Sequence, residues 1–246
     1  MNKASKGFGL IELLIALALS LIVVLGVAQV FIAAKNTYVS QNASANMQED
    51  ARFVLSKMIQ EIRMVGMFGC QGTINDSSST GDFSLRTKEP ISWDNTSQKL
   101  TLVTADVGRS GTPTWTVVSR CGLGSTGSGT SPGADPAYAY PGVREPGEGQ
   151  MAFPIRRLIY SLKNNQLTMG VGNVLTPTQA VLIDNVSAFN VSFGVEGSTG
   201  ALSYSSNPSD TSLIRSVRLT LTLTDPNNRV RNQTFNVVAA LRNRLP

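Results

Sequence analysis

The sequence predicts an α+β fold: a long N-terminal helix, its first half membrane-spanning, packed on an antiparallel β-sheet with a long Gly/Pro-rich loop. Three observations predict it. Residues Phe8 to Ala34 form an apolar run of 27 residues, interrupted only by Gly9, Gly26, Glu12, Ser20 and Gln29. An apolar stripe at helical spacing follows, and the C-terminal third alternates apolar and polar residues with period two. Between Gly122 and Gly149 lie 28 residues, of which 12 are Gly or Pro. This composition reads as one long loop, because strand material resumes after it.

As a helix the 27-residue run reaches roughly 40 Å, more than the ~30 Å of a bilayer's hydrocarbon core. It is too long for an ordinary secretory signal, whose apolar core is short. Lys3, Lys6 and the initiator amine precede it with no acid among them. The positive-inside rule therefore expects Met1–Gly7 in the cytoplasm and the rest of the chain outside it. Glu12 sits near the start of the run, and a carboxylate so placed is costly unless it has a task.

Helix is expected to continue past Ala34. Met47, Ala51, Val54, Met58, Ile62 and Val65 recur at spacings of three and four, with Gln48, Glu49, Asp50, Arg52, Lys57, Gln60, Glu61 and Arg63 between them. The stripe is expected to pack on the chain's own sheet, in one nearly continuous helix from about Phe8 to Met64. The first helix breaker after Ala34 is Gly66. The expected division is a basic N-terminal segment over 1–7, the helix over 8–66 with its membrane part over 8–34, and a β-rich domain outside the cytoplasm over 67–246.

Within that domain Val217, Leu219, Leu221 and Leu223 alternate with Arg218, Thr220, Thr222 and Thr224, as a half-buried strand does. Phe189, Val191, Phe193 and Val195 repeat the pattern. Asp225-Pro226-Asn227-Asn228 reads as a turn leading to Phe235, Val237, Ala239 and Leu241. Leu158–Leu162 and Gln166–Met169 flank Lys163-Asn164-Asn165 as a hairpin. Weaker strands are expected near Leu100–Thr104 and Trp115–Ser119.

Composition argues against catalysis. The chain has no His and only two Cys, so the commonest general base and metal ligand is missing and no Cys-rich zinc site can form. No catalytic residue, metal or cofactor is expected. Gly129-Thr130-Ser131-Pro132-Gly133 matches a nucleophile-elbow pattern, but it lies in low-complexity loop and has no His to serve it. Net charge is 21 − 16 = +5. Arg215, Arg218, Arg229, Arg231, Arg242 and Arg244 crowd the C-terminal strands, yet Phe235 is the one aromatic residue among them, not the series that a nucleic-acid platform interleaves, and nucleic acid is not the expected partner. Cys70 and Cys121 both fall in the part expected outside the cytoplasm, where disulfides persist. A bridge would close a loop of about 50 residues, worth roughly 4 kcal/mol in the chain-entropy account; two separate thiols are the alternative.

Lys6-Gly7-Phe8-Gly9-Leu10-Ile11-Glu12-Leu13-Leu14-Ile15-Ala16-Leu17 resembles the type IV prepilin signature: a short basic leader ending in Gly, then Phe, with Glu at the fifth position from that Phe. The resemblance implies a pilin-like fold. It also implies cleavage between Gly7 and Phe8 by prepilin peptidase, N-methylation of Phe8, and a role for Glu12 in assembly. Cleavage would expose a positive amine at Phe8. That amine could meet Glu12 one helical turn on, or the Glu12 of a neighbouring subunit in an apolar bundle. Gln29 stands where many major pilins carry a helix-loosening Pro.

Leu182-Ile183-Asp184-Asn185-Val186 and Phe235-Asn236-Val237-Val238-Ala239-Ala240-Leu241-Arg242-Asn243-Arg244 are similar to the PilW group of minor pilins, related to J-type pseudopilins of type II secretion. The resemblance implies partners: other minor pilins, the major pilin, an inner-membrane assembly platform and a tip adhesin. It implies a single-pass inner-membrane protein that later enters a surface pilus and supports twitching motility and adhesion. A type II secretion pseudopilin and a membrane-tethered DNA-binding module for uptake are the alternatives.

Overall fold

In a computed structural model of the chain, the structure describes residues 9–70, 72–106, 112–121, 136–172, 179–197 and 200–242. The helix α1 runs unbroken over Leu10–Arg63, 54 residues, passing through Gln29 without interruption. Every member of the expected stripe is buried, from Met47 at 7% exposure to Val54, Met58 and Ile62 at 0%. Ala43 is the first buried residue along α1. The helix ends as Met64 leaves helical geometry and Gly66, at φ 77°, turns the chain where a side chain would be strained.

Among the described residues twelve strands follow: β1 (Ile74–Asp76), β2 (Ile91–Asp94), β3 (Lys99–Ala105), β4 (Trp115–Ser119), β5 (Ala137–Pro141), β6 (Met151–Lys163), β7 (Gln166–Val171), β8 (Gln179–Ile183), β9 (Val186–Glu196), β10 (Leu202–Ser205), β11 (Ile214–Leu223) and β12 (Gln233–Ala240). A short helix, α2 (Asp82–Lys88), lies between β1 and β2. The strands make two sheets. The larger has the order β1-β5-β4-β6-β3-β2, with β7 alongside the C-terminal half of β6 and β8 outside β7. The smaller has the order β10-β9-β11-β12. All pairs are antiparallel except β1 and β5, which run parallel.

The β6–β7 hairpin turns on Asn164 and Asn165, both with positive φ (52° and 58°). That geometry suits a two-residue hairpin, and Asn tolerates it better than most residues. The β9 and β11 residues read as alternating from the sequence are paired in the ladder, with Leu219 opposite Val191 and Leu221 opposite Phe189.

Two readings need correction. The segment Gly122–Gly149 is not all loop: Ala137–Pro141 is β5, paired with β4 and β1. Ala137 and Ala139 are buried while Tyr138 and Tyr140 face outward, so period two is present but surrounded by Gly and Pro. Residues 122–135, with the Gly129–Gly133 pattern, lie outside the described residues. Second, Glu61 belongs not to the helix's polar face but to the core, at 5% exposure.

α1 touches β3 and β8 of the larger sheet and β11 and β12 of the smaller, so one stripe serves both. Met58 and Ile62 share a core with Leu100, Tyr160, Phe189 and Leu219. Alternation in β3 sends Leu100 and Leu102 to this core and Val103 to the opposite face. There a second core forms under α2, where Phe83 packs edge-on between Phe68 (5.6 Å) and Trp115 (5.7 Å). A disulfide joins Cys70, just past α1, to Cys121, just past β4, with Cα atoms 5.7 Å apart.

The bridge closes a sequence separation of 51 residues. Replacing both cysteines by Ser should cost up to ~4 kcal/mol, which for a chain of this size is a fall in melting temperature of roughly 10 °C. An unchanged melting temperature, or two reactive thiols in denatured, unreduced protein, would contradict the bridge.

The β11–β12 connection is held by Asp225. Its carboxylate accepts from Arg229 Nε (2.9 Å), a guanidinium nitrogen (2.6 Å) and the Arg229 backbone N–H (2.6 Å). The Arg229 side chain holds the carboxyl well below its ordinary value of 3.8. A depressed folded value means the stabilisation is complete above that ordinary value and is lost as pH falls beneath it. Asp225→Asn should therefore be less stable than the native chain in denaturant titrations at neutral pH, the gap narrowing as pH drops below 3.8. A gap that persists undiminished in strong acid would contradict this origin.

Candidate functional site: the uncovered half of the long helix

Within α1 the chain divides sharply. From Leu10 to Ala34 every residue is exposed, including Leu13, Leu14, Leu17, Leu21, Leu25 and Phe31, each more than half exposed. Exposed apolar surface on this scale marks a membrane or partner contact, because water disfavours it strongly. The segment is long and apolar enough to cross a membrane, and none of it is covered by the chain itself.

Polar groups along this half are few. Ser20 Oγ donates to the Leu17 carbonyl (2.9 Å) and Thr37 Oγ1 to the Ala33 carbonyl (3.0 Å), so both are satisfied by their own helix. Glu12 lies in the first turn, where Gly9 is the N-cap and offers no side-chain cap. Its backbone N–H donates to the Gly9 carbonyl (3.0 Å), while its side chain is exposed. A carboxylate there is favoured by the free N–H groups of a helix start. Gln29 faces outward on the same helix.

The structure does not gather the sequence-predicted residues into one place. Gly7 and Phe8 lie outside the described residues. Glu12 stands on the free half of α1, and Cys70 and Cys121 lie past the other end of the helix, which is about 75 Å from Glu12 by the helical rise of about 1.5 Å per residue. No cluster of three or more His, Cys, Asp or Glu suited to a metal occurs among the described residues.

The C-terminal arginines are partly committed to the fold. Arg215 Nε bonds Glu196 (2.7 Å), Arg218 stacks 3.7 Å over the Tyr204 ring, and Arg229 binds Asp225. Arg231 and Arg242 are exposed, and Arg244 lies outside the described residues.

Sequence reasoning missed a polar centre where α1 meets the sheets. Glu61 Oε1 accepts from Lys57 Nζ (2.5 Å), and Oε2 accepts from the hydroxyl of Tyr160, which is fully buried. Thr104 Oγ1 donates to the Glu61 carbonyl (3.0 Å). The available signal was a Glu flanked at helical spacing by Met58, Ile62 and Val65.

Residues 2–28 match the family model of the prokaryotic N-terminal methylation motif. No curated protein matches the chain. The matched residues cover the start of the uncovered helix and include Gly7, Phe8 and Glu12. The helix and the motif together are consistent with a single-pass membrane anchor. By this N-terminal segment and its long helix on a β-rich head, the chain is type IV prepilin-like, of the class that takes in pilins and pseudopilins.

Proposed function

We propose that the chain is a non-catalytic minor pilin that helps to start or cap a type IV pilus. One observation carries this reading: α1 is continuous, yet only its second half has a core within the chain. A tether needs a span of roughly 20 apolar residues and no acid in it. A filament subunit needs a helix that leaves lipid for a bundle of similar helices, with a charge to set its position there. Glu12 fits the second requirement.

In this account prepilin peptidase cuts between Gly7 and Phe8, the amine of Phe8 is methylated, and the head stands on the periplasmic side of the inner membrane. On entering the filament, Glu12 pairs with the Phe8 amine of a neighbouring pilin. Moving from lipid into a helix bundle exchanges one apolar surrounding for another, so the hydrophobic cost of extraction is small and the charge pair decides register. The partners are other minor pilins and the major pilin, the assembly platform and a tip adhesin; pilus-dependent motility and adhesion follow from assembly.

Mass analysis of the mature protein should find N-methyl-Phe8 at its start. Retained Met1, or a cut beyond the apolar run, would contradict the processing step. Glu12→Ala should leave the protein processed and membrane-resident but cut surface piliation, since losing one partner of a buried pair typically costs about 3–5 kcal/mol. Full piliation by Glu12→Ala in cells lacking the native copy would refute the register role. A defect in secretion rather than piliation on deleting the chain would assign it to a pseudopilin machine instead.

A further inference from the structure

We infer that Glu61 is a positioning residue: its bond to Tyr160 locks the axial setting and rotation of α1 on the head, and so decides where the free half of the helix presents Glu12. The inference rests on the assembly reading above for its purpose, but not for its geometry. The stripe that α1 buries resists sliding unevenly. A shift of one turn, about 5.4 Å, replaces Met58 by Val54 or Ile62 and Leu55 by Ala51 or Ile59, apolar for apolar, but brings Asp50 to the place of Val54 in one direction and Gly66 to that of Ile62 in the other. The Glu61 position rejects the shift in both directions. One direction brings Lys57 to the buried Tyr160 hydroxyl, and the other brings Val65, which cannot accept its proton.

The other attachments do not do the same work. Gly66 N–H to the Val103 carbonyl (3.2 Å), Ala105 N–H to the Met64 carbonyl (3.4 Å) and Thr104 Oγ1 to the Glu61 carbonyl (3.0 Å) all join the end of α1 to β3. Attachments to one strand leave a pivot. The Glu61 carboxylate reaches a second strand, β6, and two separate strands fix a rotation that one does not. Gln233 Nε2 to Ser44 Oγ (2.6 Å) ties the helix near its exit from the head, but this pair is only partly buried and competes with water. Rotation matters because α1 is a lever. Glu12 lies 31 residues beyond Ala43, about 47 Å along the helix. A tilt of about 6° at the head moves it by about 5 Å, nearly one helical turn. Buried polar contacts are best attested in this role of fixing register.

The test measures distance distributions between spin labels at Lys35→Cys and Asn236→Cys, both exposed, in the unassembled chain in lipid nanodiscs with the native disulfide intact. The native chain should give one narrow peak. Glu61→Leu, which takes this acceptor from Lys57 and the buried Tyr160 hydroxyl, should melt below the native temperature but still fold, and show a broadened distribution or a second peak displaced by about 5 Å. Glu61→Gln, which keeps an acceptor for Tyr160, should restore most of the native peak. A single native peak in folded Glu61→Leu would overturn the lock. Should Glu61→Leu fail to fold, Tyr160→Phe decides, a broadened distribution supporting the lock and an unchanged peak overturning it. These distances come from single chains, so they answer for the lock alone, whereas piliation by Glu12→Ala answers for assembly alone.

Discussion

A helix of 54 residues whose apolar surface is covered along only one half is the constraint on which the rest of the architecture depends. The covered half needs sheets that meet it from two directions, and both converge on one stripe from Ala43 to Val65. The uncovered half needs lipid or the helices of other subunits. Between them, residues 35–42 carry Lys35, Asn36, Thr37, Ser40, Gln41 and Asn42, a polar collar that suits the passage from an apolar phase to water without breaking the helix. Because no Pro interrupts α1, whatever orients its buried half also orients the free one.

Two carboxylates mark the two halves, and their surroundings differ in kind. Glu61 is taken out of water but surrounded by donors from its own chain: a lysine one turn away and a phenol on β6. Glu12 lies exposed in an apolar run, and in the proposed assembly its partner is the Phe8 amine of a neighbouring pilin. The hydroxyls on the free half spend their hydrogen bonds on their own backbone, so Glu12 and Gln29 are the side chains left to specify how that half packs. A helix that is otherwise uniformly apolar would pack against similar helices in many registers of nearly equal energy.

Much of this was legible from the residues because it is local. The stripe on α1, the alternation in β9, β11 and β12, and the Asn164-Asn165 turn each follow from a spacing of two to four residues. The rest depends on partners far apart in the chain. Tyr160 lies 99 residues from Glu61, so although Met58, Ile62 and Val65 around Glu61 hint at burial, nothing near it in sequence announces its partner. β5 hides between Gly and Pro residues and is held by two strands that precede it, one of them a three-residue parallel partner. The division into two sheets likewise follows from which strands share an edge, not from any segment's own pattern. The candidate site was legible for the opposite reason: a charge inside a long apolar run stands out without any knowledge of the fold.

The central claim is that the free half of α1 ends in a bundle of helices from other subunits. A photo-crosslinking side chain placed at Gln29, which the chain itself leaves exposed, tests it most directly when filaments are sheared from living cells and the adducts are identified by mass spectrometry. The account predicts adducts in the filament fraction that join Gln29 to the N-terminal helices of other prepilin-like subunits. Adducts to lipid alone, with the chain confined to the membrane fraction, would contradict it.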